Sequence, residues 1–143
     1  MFQETKVHCH GFHCASLPAQ KETWSDAQSY CRNNHTDLVS VKDQTENDYI
    51  YTTILQPKNL RTNTVWLGLF RETWKWSDQR NSSFRYWARG QPDNYYRNEN
   101  CAVTSFRNPG KGKWDDVQCD LILPFLCYNS KLLILCFHGQ NTK

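Results

Sequence analysis

Residues 91–119 read QPDNYYRNENCAVTSFRNPGKGKWDDVQC. Acids and amides collect at its two ends: Gln91-Pro92-Asp93 opens the stretch, Glu99 follows, and Trp114-Asp115-Asp116 stands just before Cys119. Between them, Cys101 to Thr104 and Lys113 to Val117 read as short strands. Carboxylate and amide oxygens are hard ligands suited to Ca²⁺, which takes about six to eight of them. Four carboxylates and one amide so placed make a candidate calcium site. From spacing alone they read equally well as solvated loop acids.

Around this stretch, residues 70–113 are mostly loop, with Asn, Ser, Arg and Gly interleaved with Trp and Tyr. Long loops inside a compact domain are functional or disordered, and the aromatic content argues against disorder. Thr64-Val65-Trp66-Leu67-Gly68-Leu69 is a buried-strand candidate. Further upstream, Thr23 is a helix N-cap followed by Trp24, Ala27, Tyr30 and Cys31 on one apolar face. Leu38, Val39 and Val41 read as a short strand. A second capped helix is expected to begin near Thr45 and run towards Leu55, with Tyr49 or Ile50, then Ile54, inward and Pro57 as its stop. Pro124 to Tyr128 is the last strand. No internal repeat or low-complexity tract is present.

A chain of 143 residues holds one ordinary domain. Hydrophobic residues are 38%, but six Trp, seven Tyr and seven Phe can build a core from few positions. Net charge is +3, which points to no nucleic-acid partner. No apolar stretch approaches the ~20 residues of a membrane helix. The longest aliphatic run is Leu132 to Phe137, so no membrane insertion by this segment is expected. Met1 to Lys6 lack the apolar core of a secretory signal, which was either removed or belongs to a longer product. Seven cysteines and two sequons, at Asn34 and Asn81, suit a secreted protein or the extracellular part of a receptor. The odd count leaves a thiol unpaired or bonded to another chain, as in a disulfide-linked oligomer. His8-Cys9-His10-Gly11-Phe12-His13-Cys14 has zinc-ligand chemistry, but no partner cluster exists elsewhere. The preferred reading is an atypical first strand with surplus thiols.

Trp66-Leu67-Gly68-Leu69, Gln91-Pro92-Asp93, Glu99-Asn100-Cys101, Trp114-Asp115-Asp116 and the closing Cys127 together resemble the C-type lectin domain. The resemblance covers residues 11–128, leaving an N-terminal extension at 1–10 and a tail at 129–143. It implies an α+β fold with two helices, mixed short-stranded sheets and a long calcium-binding loop region. It pairs Cys31 with Cys127 and Cys101 with Cys119. It assigns Gln91, Asp93, Glu99, Asp115 and Asp116 as Ca²⁺ ligands, Asp116 through both side chain and carbonyl. A cis peptide before Pro92 would aim the flanking side chains at one ion. Sugar would bind the calcium through two vicinal hydroxyls, contacting Gln91, Asp93, Glu99 and Asp115. Gln-Pro-Asp implies galactose preference, with Tyr95 against the apolar sugar face. The loop Phe70 to Trp76 offers only Glu72, so no auxiliary calcium site is expected.

Asp115 departs from the pattern, which has Asn there. The ligand set then carries −4 instead of −3, and Glu99 with Asp115 pairs acid with acid at the second hydroxyl, which loses its donor. The leading function is calcium-dependent carbohydrate binding, in a setting such as innate recognition. The alternatives are a domain of the same fold that binds a protein, favoured by Asp115, and an ice-binding protein. No catalytic constellation emerges, so the chain is not read as an enzyme. Residues 57–113 hold eleven cations against four acids, a net +7. These cations, Arg97 foremost, would favour sulfated or sialylated glycans. If the first and last strands are neighbours, as the resemblance implies, Cys136 lies near the Cys9–Cys14 end and would pair with one of them.

Overall fold

The computed structural model describes residues 7–10, 13–56, 63–105 and 110–130. The chain enters as a hairpin of β1 (His8–His10) and β2 (His13–Ser16), with Cys9 directly opposite Cys14. Those two cysteines are bonded, their Cα atoms 4.0 Å apart. This overturns the expected pairing of Cys136 with one of them, because the hairpin register already sets the two thiols face to face. It also removes both sulfurs from any zinc site. Cys136 and Pro57 lie outside the described residues.

Helix α1 (Trp24–Asn34) starts where its cap predicts: the Thr23 hydroxyl accepts from the Asp26 amide at 3.3 Å. Trp24, Ala27 and Cys31 form its buried stripe, and the Trp24 indole donates to the Leu67 carbonyl at 2.9 Å. Strand β3 (Asp37–Leu38) is shorter than the apolar run suggests. Val39 instead bonds two partners outside any ladder, the Leu126 carbonyl and the Gly68 amide.

Helix α2 (Gln44–Tyr49) begins near Thr45 as expected, with Asp43 as its cap. The Asp43 carboxylate accepts from the Glu46 amide at 2.9 Å, and Glu46 accepts in turn from the Lys42 amide at 2.9 Å. The helix continues through Ile50–Leu55 as a wider π-turn, burying Ile50, Ile54 and Leu55.

Strand β4 (Thr64–Phe70) is the buried centre of a sheet ordered β5-β4-β6-β7, where β5 is Lys75–Trp76, β6 Cys101–Ser105 and β7 Trp114–Val117. A Cβ on Gly68 would stand 3.1 Å from Leu38 Cβ and from two backbone carbonyls, so only glycine lets β4 lie this close to the β3 segment. The two-residue β5 is too short to show alternation and is not evident in the sequence. A second antiparallel sheet runs β1-β2-β8-β3, with β8 at Cys127–Tyr128. Cys31–Cys127 and Cys101–Cys119 are bonded as the resemblance implies. Trp66, Trp114, Phe125 and Leu126 are fully buried, and both indoles find acceptors, Glu22 O and Asn47 Oδ1.

Candidate calcium and carbohydrate site

The loop between β5 and β6 carries the site. Its turn closes from the Gln91 amide to the Ala88 carbonyl at 2.9 Å, with Gly90 at φ 83°, a conformation that favours glycine. The Gln91–Pro92 bond is cis. Beyond it, the Gln91 side-chain oxygen accepts from the Asp93 amide at 3.1 Å, so the two residues flanking Pro92 fold onto each other. Asn94, at φ 49°, accepts on Oδ1 from the Glu99 amide at 3.0 Å and pins the far end of the loop.

Strand β7 supplies the fixed wall. Asp116 pairs opposite Ala102 of β6, and its side chain is fully buried. Its Oδ1 accepts from the Asp93 amide at 3.1 Å and its Oδ2 from the Asn94 amide at 2.8 Å. Arg71, the residue after β4, donates from Nη2 to Asp116 Oδ2 at 3.0 Å and to the Glu99 carbonyl at 3.2 Å. One carboxylate therefore holds both sides of the loop and a guanidinium.

Carboxylate oxygens of Asp93, Glu99 and Asp116 lie within 4.8 Å of one another. Glu99 is 5% exposed, and its Oε2 has no hydrogen-bond partner. Burial raises its carboxyl above the usual range, helped by the charges of Asp116 and Asp93 and opposed by the backbone amides of Tyr95 and Tyr96. An unpartnered buried carboxylate oxygen is costly unless a cation compensates it. The donor set is all oxygen, so these residues fit Ca²⁺.

The Asp115 carboxylate is not one of the three so gathered. Along β7, Trp114 and Asp116 are buried and Asp115 is half-buried between them. Burial first, then the charges of Asp116 and Glu99, push the Asp115 carboxyl up to about 6. Gln91 stands half-buried at the rim. Tyr95 is 74% exposed and meets Tyr96 edge-on at 4.9 Å. Arg97, Asn34 and Asn81 are exposed. Of the eleven cations of the span, Arg71, Lys75 and Arg80 pair with acids, and Arg85 donates to the carbonyls of Ser82, Phe84 and Trp74. Sequence pattern does not single out Arg71, since nothing local distinguishes it from the other cations; only the juxtaposition of β4 and β7 does. Among the described residues, no helix is long and apolar enough to cross a membrane.

Comparison with known proteins agrees with this architecture. Residues 20–129 match the family described as the lectin C-type domain. A C-type lectin of Micrurus corallinus is 30% identical over 124 residues, covering 80% of this chain and 75% of that protein. L-selectin of Rattus norvegicus is 30% identical over 129 residues, 85% of this chain and 34% of the rat protein. Among solved structures, human lithostathine superposes with a TM-score of 0.78 at 27% identity, over 86% of this chain and 95% of that one. The two helices, the antiparallel sheets and the long loop are those the resemblance implies, in a family of generally non-enzymatic binding modules that bind carbohydrates. With its motifs in order and its fold in common with these proteins, the chain belongs to the C-type lectin domain family.

Proposed function

We propose that this domain binds carbohydrate through calcium, with a preference of galactose type, in a secreted protein or the extracellular part of a receptor. The observation that carries this reading is the unpartnered, buried Glu99 Oε2 among the oxygens of Asp93 and Asp116. Gln91, Asp93, Glu99, Asp115 and Asp116 would hold the ion. When bound, calcium supplies a hard cation to which two vicinal sugar hydroxyls coordinate. The chain's own part is orientation. Gln91 and Asp93 offer an amide donor beside a carboxylate acceptor, and they already bond each other at 3.4 Å. That pairing suits a hydroxyl that donates and accepts at once. Tyr95 offers an exposed apolar face for the sugar ring. Exposed Arg97 favours a sulfated substituent, and Asn34 and Asn81 are accessible to glycosylation.

A glycan array probed with millimolar calcium and again with chelator tests this reading. Calcium-dependent signal on galactose-terminated glycans is the expected result. Absence of signal in both conditions, with calcium-independent capture of a protein, favours the second reading, a protein-binding domain. Asp115 supports that second reading, because Glu99 and Asp115 leave one hydroxyl without a donor.

A further inference from the structure

Asp116 is the most deeply buried acid of the cluster, and among the described residues its charge has one direct cationic partner. Arg71, just past the end of β4, reaches it past the intervening strand β6, Nη2 to Oδ2 at 3.0 Å. The same nitrogen holds the Glu99 carbonyl at 3.2 Å, and the guanidinium lies over the Trp74 ring, 4.9 Å from its centroid. The Arg71 amide also bonds the Asn100 carbonyl at 2.8 Å, fixing the base of the side chain beside the loop it serves. Arg71 Nε is buried without a partner, so nothing else competes for this end of the side chain.

A buried carboxylate stripped of its counter-charge is strongly destabilising. The four acids at the site, Asp93, Glu99, Asp115 and Asp116, sum to −4, and Arg71 returns the balance to −3. Arg71 thus offsets as much charge as Asp115 adds. We propose that Arg71 is a tethered counter-cation of the site: it holds the loop together without metal and competes with calcium for Asp116. This rests on the calcium-binding reading above. Asp116 Oδ2 accepts from both the Asn94 amide and Arg71, so an incoming cation must share that oxygen with a guanidinium of like charge. Calcium affinity is therefore set below what the carboxylates alone would give.

The test is calcium titration by calorimetry of wild type, Arg71→Gln and Arg71→Lys, with thermal melts in chelator and in saturating calcium. Arg71→Gln is expected to bind calcium about five- to tenfold more tightly, the scale of one partly screened charge. It melts lower than wild type in chelator, and the gap closes in saturating calcium. Arg71→Lys keeps the charge and stays near wild type in calcium affinity. Should Arg71→Gln fail to fold without metal, the wild-type protein still decides: the Arg71 Nε–Hε resonance shifts on calcium addition with the same midpoint as the loop amides. An unmoved resonance, or an Arg71→Gln variant that binds calcium equally or more weakly, overturns the competition and leaves Arg71 as a positioning residue. If neither wild type nor Arg71→Gln binds calcium, the calcium reading itself fails along with this one. If wild type binds and the variant binds no tighter, only this inference fails.

Discussion

Asp115 stands where the related pattern has an amide, and burial with the charges of Asp116 and Glu99 pushes its carboxyl up to about 6 from an ordinary 3.8. Between those values the folded chain holds more protons than the unfolded chain. Stability from this group therefore rises as pH falls through that window, and its ionised form is a cost above it. In chelator, Asp115→Asn should melt higher than wild type near neutral pH, with the gap closing by about pH 4. A gap that does not change with pH removes the argument. Calcium acts in the opposite sense, because protons compete with the ion. The melting gain from millimolar calcium should shrink on acidification, and Asp115→Asn should bind calcium more weakly. The same substitution returns an amide donor to the second sugar hydroxyl. Galactose binding should then tighten by roughly 1–3 kcal/mol, the worth of satisfying an unmatched polar group. Weaker galactose binding by the variant, measured at saturating calcium, contradicts the acid-against-acid account.

Helix α2 contributes to the site without touching it. Asn47, buried on that helix, donates to the Gly112 carbonyl at 3.0 Å and accepts from the Trp114 indole at 2.8 Å. Gly112, at φ 78°, passes so close that a Cβ would stand 3.1 Å from Tyr51 Cβ. The turn into β7 is thereby locked, and with it the depth at which Asp116 enters the cluster. Asn47→Ala leaves two buried groups unpaired, at about 1–3 kcal/mol each. The expected outcome is a clear loss of melting temperature with weaker calcium binding, while Thr45→Ala, exposed on the same helix, changes neither. A destabilised Asn47→Ala variant with unchanged calcium affinity would separate fold from site and refute the link. The helix itself was legible in sequence to within two residues. The identity of the cap comes from the structure, where the Asp43 carboxylate accepts from the Glu46 amide at 2.9 Å.

Among the described residues, three disulfides staple the fold at different ranges, with sequence separations of 96 for Cys31–Cys127, 18 for Cys101–Cys119 and 5 for Cys9–Cys14. Chain-entropy models give about 4.7, about 3.2 and about 2.2 kcal/mol in that order. Paired Cys→Ser variants should lose melting temperature in the same order, the hairpin bridge least. Peptide mapping without reductant should recover all three bridges, and a free Cys31 or Cys119 would contradict the scheme. The net +7 of residues 57–113 is offset by acids outside the span, Asp116 against Arg71 and Glu46 against Arg80, while Arg97 stands exposed in the loop between β5 and β6. Exposed cations act through a salt-screened field. Sulfated galactose should therefore outcompete plain galactose at low ionic strength, with a margin that narrows as salt is added. Equal competition at low salt excludes the anion preference.

Several features were legible because they are local. Thr23 and the stripe of Trp24, Ala27 and Cys31 mark α1 by capping and period alone. The apolar run Thr64–Phe70 marks β4, and Gln91-Pro92-Asp93 with Trp114-Asp115-Asp116 names the acids of the site by residue type and order. Tertiary structure decided what depends on distant chain segments meeting. Only the pairing of β6 with β7 makes Asp116 the fully buried acid of the cluster and Asp115 the half-buried one, since a strand's alternation has no direction until one face is packed. Only the hairpin register joins Cys9 to Cys14. Arg71 and Asp116 are separated by 45 positions, and their ion pair exists because β4 and β7 flank the same strand, a proximity created by packing and absent from any window of sequence.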